Sequence, residues 1–177
     1  MASLPAKAAT TVWVDDCAGA GTGTPSNPYC KIQTAICNIK TNGGTINVLP
    51  GTYREALRVP ANITIISTDG PAVTTLDATG KPCPTSDFCT IGVQPSCSAI
   101  YLPSAAGSTS RLEGIRVTNV GGGTDQVSGL AIARIGAGIL VFGSSPTITR
   151  NEIVGNTLAG SGSKLFYGGG IYINGGR

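Results

Sequence analysis

The hydrophobic pattern changes period along the chain. Residues 11–14, Thr-Val-Trp-Val, form a short β-type run, and 15–28 form a loop rich in Gly, Thr, Ser and Pro. Over 31–40, Ile32, Ala35, Ile36 and Ile39 recur at i, i+3, i+4 and i+7, so the spacing predicts one amphipathic helix, stopped by Asn42-Gly43-Gly44. Beyond Gly44 the period is two. Ile46, Val48, Leu57, Val59, Ile63 and Ile65 then point one way between turns at Pro50-Gly51 and Pro60-Ala61-Asn62, which predicts short strands.

Those strands recur with internal similarity. Ala99-Ile100-Tyr101-Leu102, Gly138-Ile139-Leu140-Val141 and Gly170-Ile171-Tyr172-Ile173 each read small, Ile, large, aliphatic. Residues 110–119 and 149–156 can also be set side by side, each ending in Asn after a β-branched stretch. Self-similarity at roughly 20 to 40 residues marks a solenoid whose coils stack on their neighbours. The expected fold class is all-β, with 79–98 and 121–136 as loops inserted between strands. If Ile100, Ile139 and Ile171 face inward, Tyr101, Leu140 and Tyr172 face outward from one sheet.

Composition narrows this further. Charged residues are only 12% of the 177 and aromatics 5%, too few for long helices with a charged face, while 41% hydrophobic content suffices for one core. A single domain over 1–177 follows, with the strand, loop and helix of 1–44 leading into the strands of 45–177. The chain has no histidine, which excludes Ser-His-Asp and Cys-His nucleophile pairs and His-ligated zinc. A net charge of +3, with the basic residues scattered, leaves no electrostatic footprint for nucleic acid. No apolar run approaches the ~18 residues of a membrane span, and Met1–Ala9 lacks the apolar centre of a signal peptide. Six cysteines without a Cys-x-x-Cys pair point to an oxidising compartment. The expected location is therefore extracellular or at the cell surface, with an export signal absent from this chain. The preferred bridges are Cys17 with Cys30, which bracket the early loop, and Cys83 with Cys89. Cys37 and Cys97 are left either to pair with each other or to stay buried as thiols.

The runs VWVDDC, PYCKIQTAI and GGTINVLPGTY resemble the N-terminal cap and first coil of right-handed parallel β-helix proteins of the pectin-lyase-like superfamily, and SSPTITRNEIVGNT and GGGIYINGG resemble its ordinary coils. The resemblance covers nearly the whole chain. It implies a right-handed parallel β-helix, a solenoid whose N-terminal end is closed by a short capping α-helix. For function it implies a carbohydrate-binding or carbohydrate-processing module of polysaccharide-lyase-like type, whose partner is a polysaccharide or surface glycan. The alternative is a non-catalytic structural or adhesion scaffold of a bacterial surface protein. A polygalacturonase-like site would need Asn-Thr-Asp, a paired Asp and Gly-His-Gly; the only Asp pair, Asp15-Asp16, precedes the helix. A pectate-lyase-like site would bring calcium; Asp69, Asp77 and Asp87 lie in the right general region without calcium-loop spacing, so the expectation is no cofactor, with calcium as the alternative.

On that fold Tyr101 and Tyr172 are candidates to stack on sugar rings, the competing reading being that they cover sheet surface. Glu113, Arg116, Arg150 and Glu152, with Arg111, would line a polar groove for an acidic saccharide, or else pair with one another between coils. Asn119, Asn151, Asn156 and Asn174 read as turn residues or stacked amides. The end at Gly175-Gly176-Arg177, directly after a strand, implies further coils, or end-to-end self-association through an open coil.

Overall fold

Strands with every second side chain apolar need a shared interior, and here three sheets supply it to one another. The computed structural model describes residues 10–84, 86–87, 89–91, 97–103, 109–128, 131–158 and 164–175. Residues 1–9 and 176–177, on which the readings of the two termini rest, lie outside the described residues. The chain runs through β1 (Thr10–Val14), α1 (Ile32–Ile39), β2 (Gly44–Val48), β3 (Gly51–Tyr53) and β4 (Leu57–Arg58). It continues through β5 (Ile63–Ser67), β6 (Thr74–Asp77), β7 (Ile100–Leu102), β8 (Arg111–Glu113) and β9 (Arg116–Thr118). Then come β10 (Thr124–Ser128), β11 (Ala131–Ile135), β12 (Ile139–Phe142), β13 (Thr147–Thr149), β14 (Glu152–Ile153), β15 (Lys164–Tyr167) and β16 (Ile171–Asn174).

Three sheets are parallel throughout: β1-β2-β5-β8-β13, β3-β6-β9-β14 and β4-β7-β12-β16. From β2 onward the chain visits them in the same order four times, adding one strand to each on every pass. Inward rows such as Ile46, Ile65 and Leu112 in the first sheet and Ile100 and Ile139 in the third are in register and buried in one core. Each such side chain contributes about 1.5–3 kcal/mol of hydrophobic stabilisation. The all-β expectation holds, with a single helix among the described residues.

The predicted helix forms as α1, and its Ile32, Ala35, Ile36 and Ile39 face is buried against β1, β2 and β4. It ends where the Gly43 N–H closes on the Ile39 carbonyl at 2.9 Å. The loop after β1 folds back along that strand's outer edge. Trp13 and Asp15 donate their N–H groups to the carbonyls of Gly23 and Tyr29, and Tyr29 donates to Trp13, each at 2.9 Å. The Cys17–Cys30 disulfide, 13 residues apart in sequence, closes this loop as expected. On the chain-entropy account such a closure is worth about 3 kcal/mol.

Two expectations change. Residues 121–136, read as a loop from their glycines, contain β10 and β11, an antiparallel pair that β15 extends as a parallel third strand. Among the described residues its glycines, Gly121 to Gly123 and Gly136, flank the two strands rather than lie within them. The expected Cys83–Cys89 bridge is also not made, because Cys89 is bonded to Cys37 of α1, with Cα atoms 5.0 Å apart. Nearness in sequence favours Cys83, but the segment carrying Cys89 folds across the helix. There the Lys40 ammonium donates to the Asp87 carbonyl and lies 3.0 Å from the Cys89 sulfur. Cys97 is buried, with its sulfur 3.7 Å from the Lys81 carbonyl.

Candidate functional site

The expected row of the third sheet, Tyr101 of β7, Leu140 of β12 and Tyr172 of β16, is in register in successive strands, and the structure adds Arg58 of β4 beside Tyr101. The Arg58 guanidinium carbon lies 4.8 Å from the centre of the Tyr101 ring, a cation–π distance. The Arg58 backbone is held from the helix side, since its N–H donates to Gln33 Oε1 at 2.9 Å and its carbonyl accepts from Gln33 Nε2 at 3.3 Å. Tyr172 packs at a tilt against Tyr167, ring centres 6.4 Å apart.

The row is not one flat platform. Leu140, expected to face outward in the open, is fully buried. The strand entering β12 bends at Gly136, whose φ of +59° lays its backbone on this side chain; a Cβ there would come within 2.9 Å of Leu140 Cβ. Gly168 does the same to Tyr172 one strand further on. Two parallel-strand spacings, about 10 Å, therefore separate Tyr101 from Tyr172, with a covered leucine between them.

The charged candidates gather elsewhere, about the corner where the first sheet gives way to the second. Glu113 ends β8 with its side chain only 5% exposed, and it is paired with both Arg111 and Arg150. The Arg111 hydrogen bond leads the causes that hold its carboxyl below the ordinary carboxylate range, with Arg150 adding to it. Arg150 reaches Glu113 from a left-handed backbone conformation, φ +54°, at the turn after β13. Past the corner, Arg116 and Glu152 face each other directly in β9 and β14 and pair at 3.2 Å with both side chains exposed. Register thus opposes Glu152 to Arg116 rather than aligning it with Glu113, because the inward residues Val117 and Ile153 decide the pairing. The asparagines act as clips between passes. Asn151 accepts from the Ile115 N–H and donates to the Leu112 carbonyl, and the buried Asn119 donates to the carbonyls of Cys97 and Ala137.

The tyrosines and the ion pairs therefore stand on different sheets, and the structure does not bring the six expected residues into one groove. The carboxylates considered for calcium each take part in a local turn. Asp69 accepts from the Thr68 hydroxyl, Asp77 from the Thr79 N–H, and Asp87 from the N–H groups of Cys89 and Thr90, each within its own turn. Among the described residues no three His, Cys, Asp or Glu side chains converge as a metal site.

Sequence reasoning missed a concave charged surface at the helix end of the molecule. The two carboxylate oxygens of Glu55, in the link between β3 and β4, accept the first N–H groups of α1, from Ile32 at 2.7 Å and Gln33 at 2.9 Å. Lys31, at the head of the helix, makes no side-chain cap of its own, so a residue more than twenty positions away supplies one. Burial raises the Glu55 carboxyl above its ordinary pKa, against the lowering influence of the two N–H groups and of Lys31. Around this carboxylate lies a cleft of about 440 Å³ that includes Lys31, Arg54, Lys81, Pro82, Ile91 and the Cys37–Cys89 bridge. A second cleft, reaching Asp16 and Thr52, shares Lys31, Arg54 and Glu55 with it. The only signal in the sequence was the charged pair Arg54-Glu55 shortly after the Pro50-Gly51 turn; nothing local links it to Lys81. No protein-family model and no curated protein sequence matches this chain.

Proposed function

We propose that the chain is a right-handed parallel β-helix of the pectin-lyase-like kind, from an extracellular or cell-surface protein, and that its outer surface binds a polysaccharide or surface glycan. Three parallel sheets visited in a fixed order support the fold reading. Two disulfides among the described residues, and no described helix long and apolar enough to cross a membrane, are compatible with the location. The observation that carries the binding role is the Tyr101 ring on an outer sheet face with the Arg58 guanidinium against it, a pairing of aromatic surface and hydrogen-bond donors suited to a sugar ring.

Binding rather than bond cleavage is the reading preferred here. The Glu113 and Glu152 carboxylates are each neutralised by arginine, which leaves neither placed as a general acid or base. The same ion pairs favour a second reading, a structural or adhesion scaffold in which Arg150 with Glu113 and Arg116 with Glu152 tie one pass to the next. A glycan-array screen of the chain beside Tyr101→Ala and Tyr172→Ala separates the two. Glycan binding lost in Tyr101→Ala supports the first, and no binding at millimolar ligand supports the scaffold.

A further inference from the structure

The two disulfides sit in different electrostatic surroundings. At Cys37–Cys89 the Lys40 ammonium lies 3.0 Å from the Cys89 sulfur while donating to the Asp87 carbonyl. The Asp87 carboxylate is turned to other donors, the N–H groups of Cys89 and Thr90 at 2.9 Å and the Thr90 hydroxyl at 2.7 Å. Lys40 therefore places a full positive charge at hydrogen-bond distance from that sulfur. Cys37 stands in the last turn of α1, where the helix dipole presents its negative end. The two sulfurs of this bridge are thus unequal, a thiolate being stabilised at Cys89 and disfavoured at Cys37. Both can be reached, since Cys89 is exposed, Cys37 is half-buried, and the two line the helix-end cleft of about 440 Å³. Cys17–Cys30 carries no such bias among the described residues. It follows Asp15 and Asp16 directly in sequence, and the cleft beside it sets Asp16 and Glu55 against Lys31 and Arg54.

We propose that Cys37–Cys89 is a thiol–disulfide exchange site for a small external thiol of the glutathione class, whereas Cys17–Cys30 is a permanent tie. The thiolate of one such molecule attacks Cys37 Sγ from the cleft. A new S–S bond forms there, the Cys37–Cys89 bond breaks, and its electron pair departs on Cys89 beside Lys40. A second external thiolate then attacks the sulfur of the first, and Cys37 leaves and takes up a proton. In total the bridge gains two electrons, two external thiols become one disulfide, and their two protons pass to Cys37 and to Cys89 or solvent. A stabilised leaving thiolate speeds such exchange, so Lys40 decides both which sulfur is attacked and how fast. Opening the bridge removes the covalent tie between α1 and the segment that carries Asp87 and Cys89, and so frees one wall of the cleft to move. The site is independent of the saccharide-binding reading and lies apart from the Tyr101 row.

The test exposes the oxidised full chain to reduced glutathione at neutral pH, quenches with acid, alkylates with iodoacetamide in denaturant, and reads each cysteine by peptide mass spectrometry. Cys37 and Cys89 should become alkylated about tenfold faster than Cys17 and Cys30, at a rate proportional to glutathione and with the glutathione adduct on Cys37. Lys40→Gln should slow that opening roughly threefold, the response of an exchange rate to about a tenfold loss of thiolate stability. Lys40→Arg should restore it, and Cys17–Cys30 should be unmoved in both variants, whose folding circular dichroism verifies. Cys17–Cys30 opening first or equally fast, adducts on Cys89, or an unchanged rate in Lys40→Gln overturns the assignment. A rate independent of glutathione concentration reports reduction through global unfolding and overturns it too. Limited proteolysis then reads the wall: faster cutting between residues 79 and 98 in the reduced chain supports its release, and equal cutting overturns that release.

Discussion

Replacing Glu55 by alanine removes a cap that the helix cannot supply locally. Two backbone donors, the N–H groups of Ile32 and Gln33, lose acceptors at 2.7 and 2.9 Å, and both residues are buried. A hydrogen bond to a charged group is worth about 1.5–3 kcal/mol net, which sets an upper bound near 6 for the pair. The carboxylate is expensive to enclose, and its raised pKa shows that burial outweighs the two N–H contacts in their effect on its charge. The expected loss is therefore about 2–3 kcal/mol, slightly above the usual range for an N-cap deletion. For a chain of 177 residues that corresponds to a melting point lowered by roughly 5–10 °C. Glu55→Gln should lie between the two, because one amide oxygen can still accept while its NH₂ group opposes the second donor.

The pH dependence supplies an independent check. Between the ordinary carboxylate pKa and the raised native value, the folded chain holds a proton that the unfolded chain has released. The stability linked to Glu55 is thus fully present below the unfolded pKa and is lost as pH rises through the folded one. Urea denaturation across pH 4 to 8 should show wild type losing stability relative to Glu55→Gln over that window. A Glu55→Ala variant within about 0.5 kcal/mol of wild type, or parallel pH profiles for wild type and Glu55→Gln, would refute the reasoning.

Three further outcomes follow from the packing and the charges. Glu113→Gln should flatten the acid limb of the stability profile, since a lowered native pKa gives stability that is present above the unfolded pKa and lost as pH falls through the folded one; acid titration followed by fluorescence reads this. Asn119→Ala should cost about 1–2 kcal/mol in urea denaturation, because the carbonyls of Cys97 and Ala137 each lose one of two donors and keep only the N–H groups of Gly123 and Ala99. The double change Cys37→Ser and Cys89→Ser should remove about 4 kcal/mol on the loop-entropy account for a separation of 52 residues, and limited proteolysis should then cut first between residues 79 and 98.

How much was legible from the residues depended on the range of the interaction. The helix was readable because its four apolar positions are local, and the alignment of Ile100, Ile139 and Ile171 because identical inward positions must stack in register. Glycine density over 121–136 concealed β10 and β11, since a strand pair bent at Gly136 carries the same composition as a loop. The bridge from Cys37 to Cys89 was hidden because sequence spacing reports loop length, whereas the partner was chosen by a segment folding over a helix. The ion pairs were legible as pairs but not as partners. Arg111, Glu113 and Arg150 form a triad only because Arg150 adopts a left-handed conformation at its turn. The helix-end clefts were least legible, being assembled from Lys31, Arg54 and Lys81, which no periodicity connects.

The loop that folds back along β1 has a consequence for growth. Because the amides of Trp13 and Asp15 and the carbonyl of Trp13 are already engaged by Gly23 and Tyr29, that edge of the first sheet offers no free ladder to an incoming strand. Among the described residues the sheet therefore extends away from β1, each later pass adding its strand on the side of β2, β5, β8 and β13. The disulfide-pinned loop thus turns the first strand of the sheet from a docking edge into a closed boundary.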